Sequence, residues 1–183
     1  MEQKSTKVVI LAGGLGTRIS EYTDLMPKPM VKIGNYPIIW HIMNHYAYYG
    51  FKNFIIAAGY KSEVIKDYFL NYSSINSNFT VNLKDGQFKI HDNCNLDWNV
   101  TIVDTGPNTM TGGRLKRLKY LLSNEEKFLF TYGDGLSDVN INELVDFHDK
   151  NSKLVTLTTV HPSARFGELE IDNDLVKSFK EKP

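Results

Sequence analysis

Apolar runs that stop at a glycine or a polar turn recur along this chain, and amphipathic stretches separate them. Four of these runs are continuous enough to predict strands buried on both faces of a parallel sheet, at residues 7–11, 53–59, 98–105 and 127–132. Apolar positions at helical spacing predict helices from Pro37 to just before Gly50 and over residues 62–72 and 114–122. This alternation predicts an α/β fold with a doubly wound, mostly parallel (Rossmann-like) sheet and helices on both faces.

Weaker patterns predict smaller elements. Residues 79–83 and 87–91 flank the turn Lys84-Asp85-Gly86, which predicts a hairpin, a small β-excursion that we interpret as an oligomer contact or a flap. Later patterns predict a capped helix over residues 140–149, a fifth strand at residues 154–160 and two short strands around a turn at residues 173–174.

The first apolar run ends in the stretch Leu-Ala-Gly-Gly-Leu-Gly-Thr-Arg, residues 11–18. Glycines crowded after a buried strand predict a loop whose backbone approaches another group closely. Such loops bind anions through their amides, and Arg18 and Lys28 add two positive charges nearby in the sequence. We therefore predict a phosphate site at the carboxyl end of this strand, with Arg18 and Lys28 as catalytic residues.

Two common phosphate loops do not fit these residues. A Walker loop requires a Gly-Lys-Ser/Thr sequence four residues after its first glycine, and neither Gly13 nor Gly14 is followed by one. A dinucleotide fingerprint that begins at Gly14 requires a third glycine where Ile19 stands. The loop is therefore of a different kind.

Two further stretches carry candidate site residues. Asp134 lies between Gly133 and Gly135 at the end of the predicted strand 127–132, where a carboxylate needs a cation. Beside a phosphate site, Mg²⁺ is the simplest choice, because it prefers one or two carboxylates plus phosphate oxygens. Before the third helix, Thr109 and Thr111 are predicted caps or hydrogen-bond donors, and Arg114 can reach an anion at the helix start.

Bulk properties restrict the functional classes. The 183 residues suit one domain with a sizeable core. Lysine plus arginine and aspartate plus glutamate number 21 each, so we predict neither nucleic acid nor a membrane as a partner. The single cysteine, Cys94, fits a reducing compartment, and the apolar run near the N-terminus is too short for a signal peptide. We therefore expect a cytoplasmic protein.

Taken together, the motifs resemble the sugar-phosphate nucleotidyltransferases, and in particular the glucose-1-phosphate cytidylyltransferase branch of that family. The stretches that carry the resemblance are Gly-Gly-Leu-Gly-Thr-Arg, Pro-Lys-Pro-Met from Pro27, Met-Thr-Gly-Gly-Arg from Met110, Phe-Thr-Tyr-Gly-Asp-Gly from Phe130 and Ser-Phe-Lys-Glu-Lys-Pro from Ser178.

The resemblance implies an enzyme that joins CTP and α-D-glucose 1-phosphate into CDP-glucose and pyrophosphate with Mg²⁺, a step towards deoxysugars of bacterial surface polysaccharide such as O-antigen. It implies that Lys182 holds the sugar phosphate and that Asp134 binds the metal beside Gly133. It also implies that Thr109 and Arg114 lie near the nucleotide. The residues expected to hold the base, the ribose and the phosphates are those of the glycine loop: Leu11, Ala12, Gly13, Gly14, Leu15, Gly16 and Thr17.

Family members continue past the Glu-Lys-Pro motif into a segment with sugar contacts and a second metal-binding aspartate. We therefore expect residues 1–183 to form a single catalytic domain that is truncated at its C-terminus relative to the family, and a homo-oligomer when full length. Three alternatives stay open: a catalytically impaired nucleotide-sugar binding module, an assembly subunit that uses residues 73–97, and a Rossmann oxidoreductase, which Ile19 disfavours.

Overall fold

The computed structural model describes residues 4–14, 26–92, 96–160 and 168–180. The chain divides into two units, Met1–Ile141 and Asn142–Pro183, and each is described by itself. The described strands are β1 (Lys4–Ala12), β2 (Lys32–Ile33), β3 (Tyr36–Pro37), β4 (Phe51–Ala58), β5 (Phe79–Val81), β6 (Phe88–Ile90), β7 (Asn99–Asp104), β8 (Phe128–Tyr132), β9 (Glu168–Asp172) and β10 (Leu175–Lys180). The described α-helices are α1 (Ile38–Tyr48), α2 (Ser62–Leu70), α3 (Tyr72–Ile75), α4 (Thr111–Arg117), α5 (Lys119–Leu122) and α6 (Ile141–Asn151), and a 3₁₀ turn spans Lys28–Met30.

The first unit is built on a four-stranded parallel sheet in the order β7-β4-β1-β8. The register pairs Ala12 with Ala58, Ala58 with Asp104, and Leu11 with Tyr132, so the four strands end at the same level. Parallel strands share one carboxyl edge, and the residues that follow each strand therefore gather there. This edge is where the sequence predicts the phosphate site.

Both faces of the sheet are covered, as a doubly wound fold requires. On one face, a buried cluster joins the sheet to the α4–α5 segment through Val9, Leu11, Ile55, Ala57, Leu118 and Leu122. On the other face, the Phe54 ring lies 5.6 Å from that of Trp98, which in turn lies 5.8 Å from Trp40 of α1. The predicted α/β class is confirmed.

The predicted β-excursion is also present. Strands β5 and β6 pair antiparallel, with Phe79 opposite Ile90 and Val81 opposite Phe88. Gly86 adopts a positive φ of 73° in the turn between them, a backbone conformation that glycine accommodates without strain. The side chains of Phe79 and Phe88 contact each other and remain about half exposed.

The second unit differs from its prediction in one element. As the sequence predicts, β9 and β10 are two strands around a turn at Asn173 and Asp174; they pair antiparallel, and both turn residues have positive φ. Residues 154–160, predicted as a fifth strand, form no strand in the structure, and Leu154 is fully exposed. An apolar run can form a strand only when a neighbouring strand supplies ladder hydrogen bonds, and a sequence pattern does not reveal that neighbour.

Two helix predictions need correction. The helix predicted over residues 62–72 ends at Leu70; it is preceded by Lys61 at a φ of 48°, and the Ser62 hydroxyl donates to Asp104 Oδ2 at 3.3 Å. The helix predicted over residues 114–122 begins earlier, at Thr111, and is interrupted at Leu118. No helix in the described part of the chain combines the length and the hydropathy that a bilayer crossing requires.

Candidate active site

A cavity of about 240 Å³ opens at the carboxyl edge of the sheet. Every described residue that the sequence predicts for the site, except Gly133, lines this cavity. The lining consists of Leu11, Ala12, Gly13, Gly14, Lys28, Pro29, Thr109, Met110, Thr111, Arg114, Tyr132 and Asp134. The site thus combines the glycine loop after β1, the 3₁₀ turn, the start of α4 and the end of β8.

Lys28 and Asp134 face each other across this cavity. Lys28 Nζ donates to Asp134 Oδ2 at 2.5 Å, although the two residues are 106 positions apart. The side chains are 27% and 37% exposed, so solvent or a ligand can reach both partners. The structure therefore brings the predicted cation and the predicted metal ligand together as an ion pair.

Local structure fixes the position of Lys28. It lies between Pro27 and Pro29, whose rings restrict the backbone, and the Met30 N–H closes a turn on the Pro27 carbonyl at 2.8 Å. Pro29 and Met30 are buried and anchor the turn, while the lysine side chain stays at the surface of the cavity. The backbone is thus held on both sides of a side chain that points into the site.

Gly133 contributes through its backbone. Its N–H donates to the Leu11 carbonyl at 2.8 Å, which ties the end of β8 to the end of β1 just before the glycine loop. The neighbouring residue, Asp134, is therefore held next to that loop. Gly133 is buried and does not line the cavity, so its place in the structure is one of support for Asp134.

Arg114 is buried, with 4% of its surface exposed, and its guanidinium donates to oxygen atoms of the chain. We expected this residue to reach an anion at the helix start, and the structure shows instead that both terminal nitrogens already have partners. Its Nη1 donates to Thr105 Oγ1 (2.6 Å), Gly106 O (2.7 Å) and Ala58 O (3.3 Å), and its Nη2 donates to Gly13 O (2.7 Å) and Pro107 O (3.2 Å).

Burial lowers the pKa of the Arg114 guanidinium, and the nearby positive charge of Arg117 lowers it further, while Asp104 acts in the opposite direction. An arginine stays protonated in proteins at neutral pH despite such a shift. Arg114 therefore places a permanent positive charge in the wall of the cavity, where it favours an anionic ligand.

The two threonines do not act as caps. Met110 occupies the cap position of α4, and no side-chain hydrogen bond caps this helix. The capping role predicted for Thr109 and Thr111 is therefore wrong, and both residues line the cavity. Their proposed role as hydrogen-bond donors stays a prediction.

Sequence reasoning missed three residues of the lining, namely Pro29, Met110 and Tyr132. Tyr132 ends β8 in register with Leu11, so the strand pattern together with the Gly-Asp-Gly motif could have identified it. Met110 is 81% exposed, which is unusual for a large apolar side chain, but no sequence pattern distinguishes it from a core methionine.

Five predicted residues lie outside the described part of the chain: Leu15, Gly16, Thr17, Arg18 and Lys182. Among the described residues, no three histidine, cysteine or carboxylate side chains form a cluster suited to a metal ion. Asp134 is the only carboxylate in the described lining of the cavity.

A second cavity, of about 490 Å³, lies beside β7 and is lined mainly by aromatic and aliphatic side chains, among them Tyr72, Trp98 and Ile102. None of the residues that the sequence predicts for the site lines it. Its larger volume does not make it the better phosphate site, because its described lining offers Lys66 as the sole charged side chain.

Comparison with known proteins gives a consistent picture. The profile of the family described as nucleotidyl transferase matches residues 7–183. A glucose-1-phosphate cytidylyltransferase of Salmonella typhi is 52% identical over 177 residues, which cover 97% of this chain and 69% of that protein. A probable glucose-1-phosphate cytidylyltransferase of Bacillus subtilis is 40% identical over 176 residues, covering 96% and 68% respectively.

Solved structures support the same fold. The crystal structure of HddC from Yersinia pseudotuberculosis complexed with GMP-PN matches with a TM-score of 0.59 at 26% identity, covering 97% of this chain and 69% of that one. A UDP-glucose pyrophosphorylase complexed with UDP-glucose matches with a TM-score of 0.57 at 18% identity, covering all of this chain and 70% of that one, which supports the fold alone. The chain therefore belongs to the nucleotidyl transferase family and is similar over nearly its whole length to the glucose-1-phosphate cytidylyltransferases within it.

Proposed function

We propose that the chain transfers a cytidylyl group from CTP to α-D-glucose 1-phosphate, which yields CDP-glucose and pyrophosphate. Family membership supports nucleotidyl transfer, and the names of the two relatives support the choice of substrates. The observation that carries the proposal is the strand-edge cavity, where a glycine loop meets the Lys28–Asp134 pair in a chain 52% identical to a cytidylyltransferase.

The chemistry requires little from the protein in proton transfer. The sugar phosphate oxygen that attacks the α-phosphorus is already anionic at neutral pH, because the second pKa of a phosphate monoester is about 6. A new oxygen–phosphorus bond forms as the bond between the α-phosphorus and the bridging oxygen breaks, and pyrophosphate leaves with that oxygen. No general base is needed.

The barrier therefore comes mainly from the mutual repulsion of two polyanions and from charge that develops on the departing pyrophosphate. Positioning and electrostatic neutralisation lower such a barrier. We propose that Lys28 faces the reacting phosphates and exchanges its present partner, Asp134, for phosphate oxygens when substrate binds. Arg18 and Lys182 keep their predicted roles at the pyrophosphate and at the sugar phosphate.

The carboxylate of Asp134 would fit a magnesium ion at this cavity. Asp134 offers a carboxylate that is 37% exposed at the cavity, and Mg²⁺ commonly binds to one or two carboxylates and to substrate phosphates. When bound, the ion supplies positive charge that offsets the charge of the phosphates. Asp134 would hold it, and Gly133 fixes the position of Asp134 through its bond to Leu11.

We propose that Leu11, Ala12, Gly13 and Gly14, together with Leu15, Gly16 and Thr17, surround the nucleotide, with Thr109 and Thr111 as donors on the opposite wall. The described members of this set line the cavity. We also propose that residues 1–183 act as one catalytic domain, since the family profile extends from residue 7 to residue 183.

The remaining context is proposed from the resemblance and from the chemistry. A nucleoside triphosphate and a sugar phosphate are cytoplasmic metabolites, so we place the reaction in the cytoplasm, as a step towards surface polysaccharide. We propose a homo-oligomer that uses the β5–β6 hairpin, where Phe79 and Phe88 remain exposed. Light scattering that reports a monomer would contradict this assembly.

The reaction is tested by pyrophosphate release from each of the four nucleoside triphosphates in the presence of glucose 1-phosphate and Mg²⁺. We expect release with CTP to exceed that with the other three by at least about 100-fold, because a site that hydrogen-bonds the base edge is left with unpaired polar groups when the wrong base binds. Binding of CDP-glucose without pyrophosphate release would contradict the proposal.

A further inference from the structure

Gly13 and Gly59 leave room for the Arg114 guanidinium. A Cβ atom built on either glycine would overlap with this group, and at Gly13 all of the nearest atoms belong to Arg114. Gly13 is not among the glycines with positive φ, so no left-handed backbone conformation requires glycine there. The space taken by the guanidinium, and not the backbone angle, therefore requires glycine at position 13.

We call the space beside Gly13 and Gly59 the slot; the Arg114 guanidinium that fills it connects three strand ends. It bonds to the Gly13 carbonyl after β1, the Ala58 carbonyl at the end of β4, and the Thr105 hydroxyl and Gly106 carbonyl after β7. The Thr105 hydroxyl also donates to the Ala58 carbonyl at 2.6 Å, so these oxygens form one network. Arg114 is 101 residues from Gly13, and the network thus holds distant segments in register.

We infer that Arg114 is a positioning residue for nucleotidyl transfer, whose guanidinium sets the orientation of the Gly13–Gly14 peptide in the glycine loop. This inference rests on the proposed function. The Gly13 carbonyl accepts hydrogen bonds from Arg114 and from the Tyr60 N–H at 3.2 Å, which fixes its direction. Since a trans peptide is planar, the Gly14 N–H points the opposite way, out of the slot, and Gly14 lines the cavity.

The chemistry of arginine suits this role better than that of lysine. Burial of a cation is costly unless hydrogen bonds replace its hydration, and five oxygen atoms surround the Arg114 guanidinium. A lysine ammonium carries the same charge but only three donors at a single point, so it cannot bridge oxygens at the three strand ends. A role that depended on charge alone would be preserved in Arg114→Lys.

A double-mutant cycle of Gly13→Ala and Arg114→Ala tests the slot. The new Cβ in Gly13→Ala overpacks the slot, and we expect it to lower the melting temperature by about 5 °C. In the Arg114→Ala background the guanidinium is gone, and the same substitution should lower it by less than about 2 °C further. Equal losses in melting temperature in both backgrounds would show that the guanidinium does not limit the space at Gly13.

Gly59→Ala is the matched control. Its Cβ would also lie 2.7 Å from the Gly106 carbonyl oxygen and 2.9 Å from the Gly13 carbonyl oxygen, which remain when Arg114 is removed. We therefore expect Gly59→Ala to stay destabilising in the Arg114→Ala background. If removal of Arg114 abolished the destabilisation by Gly59→Ala as completely as that by Gly13→Ala, it would act by loosening the whole edge of the sheet. That result would contradict a specific contact between the guanidinium and Gly13.

Steady-state kinetics separate positioning from a purely structural role. At a temperature where all variants are folded, we expect Arg114→Met to lose about 100-fold in kcat/KM for CTP, as after loss of a preorganised donor, and Arg114→Lys, which keeps the charge, to recover only a small part of that loss. Unchanged kcat/KM in the folded variants would overturn the positioning role. So would full activity in Arg114→Lys.

The positioning role of Arg114 and the proposed function can fail separately. If the wild-type protein releases no pyrophosphate from any nucleoside triphosphate, the proposed function fails, and with it the role in catalysis. The melting temperatures of the Gly13 and Arg114 cycle still report whether the guanidinium occupies the slot.

Discussion

The Lys28–Asp134 pair is the feature of single residues on which the proposed mechanism depends most. Each side chain neutralises the other, at an Nζ to Oδ2 distance of 2.5 Å. Binding of phosphates and a divalent cation gives each of them a new partner of opposite charge. Replacement of either residue should therefore affect catalysis far more than stability.

Lys28→Met keeps an unbranched side chain of similar length and removes its charge. We expect kcat/KM to fall by about 100-fold or more, the cost of losing one preorganised donor to a developing anion. Lys32→Met is the control, because Lys32 is exposed and does not line the cavity, and a surface change of this kind alters rates by less than about threefold. A loss below threefold in Lys28→Met would count against its role.

Asp134→Asn should raise the Mg²⁺ concentration needed for half-maximal activity by about tenfold or more, since even the partners of metal ligands have effects of this size. Solvent screens the exposed pair with Lys28, which is worth at most about 1 kcal/mol, so we expect the melting temperature to change by less than about 4 °C. The neighbouring exposed residue provides the control, Asp138→Asn. An unchanged Mg²⁺ requirement in Asp134→Asn would exclude this carboxylate as a metal ligand.

Gly13 shows how far a single residue can be interpreted from sequence. Crowded glycines predict a close approach, and the structure confirms one at the expected edge of the sheet. The group that comes close at Gly13 is nevertheless a guanidinium from a helix 101 residues away. No local pattern encodes that contact, because it depends on how α4 packs against the sheet.

Among the elements, β7 ends at Asp104, whose ionisation makes the stability of the fold depend on pH. The hydrogen bond from the Gly106 N–H has the largest effect on this carboxyl and lowers its pKa below the ordinary value of 3.8. Burial acts in the opposite direction. The Ser62 hydroxyl and the positive charges of Lys66 and Arg114 lower the pKa as well, so the net shift is downward. The unfolded chain therefore binds more protons near and below pH 4 than the folded one does. Asp104 stabilises the fold fully above that pH.

We accordingly expect the difference in melting temperature between wild type and Asp104→Asn to be constant at pH 5–7 and to shrink as the pH falls below about 4. Circular dichroism melts at each pH provide the measurement, with Asp138→Asn as an exposed control. A difference that grows on acidification would have the wrong sign for a depressed pKa.

Leu118 couples α4 and α5 to the core. It is fully buried at the interruption between the two helices and belongs to the cluster with Val9 and Ile55. Leu118→Ala should cost roughly 2–5 kcal/mol and lower the melting temperature by about 5–15 °C. Tyr120→Ala, at a position that is 69% exposed, should have little effect. Similar losses in both variants would place the α4–α5 contact outside the core.

The elements that sequence predicted best are those whose pattern reflects burial. Strands β1 and β4 lie at the centre of the sheet, and burial on both faces makes their sequences continuously apolar. The start of α4 was missed because Gly112 and Gly113 are poor helix formers. The tertiary bonds of Arg114 hold that first turn, and only the folded structure contains them.

For the whole molecule, the balance of 21 basic and 21 acidic residues implies that attraction for anions is local and not a property of the entire surface. In the described part of the first unit, positive charge is concentrated at one edge of the sheet, where Lys28 and Arg114 line the same cavity. The order of strands, β7-β4-β1-β8, places the glycine loop centrally at that edge, and strand order is the part of the topology that local patterns do not determine.

The most direct test of the central claim is a crystal structure of the protein with CDP-glucose and Mg²⁺. We expect the two phosphates in the strand-edge cavity, with Lys28 Nζ within about 3.2 Å of a phosphate oxygen and no longer paired with Asp134. Phosphates bound elsewhere, for example in the cavity beside β7, with the Lys28–Asp134 pair intact, would contradict the account.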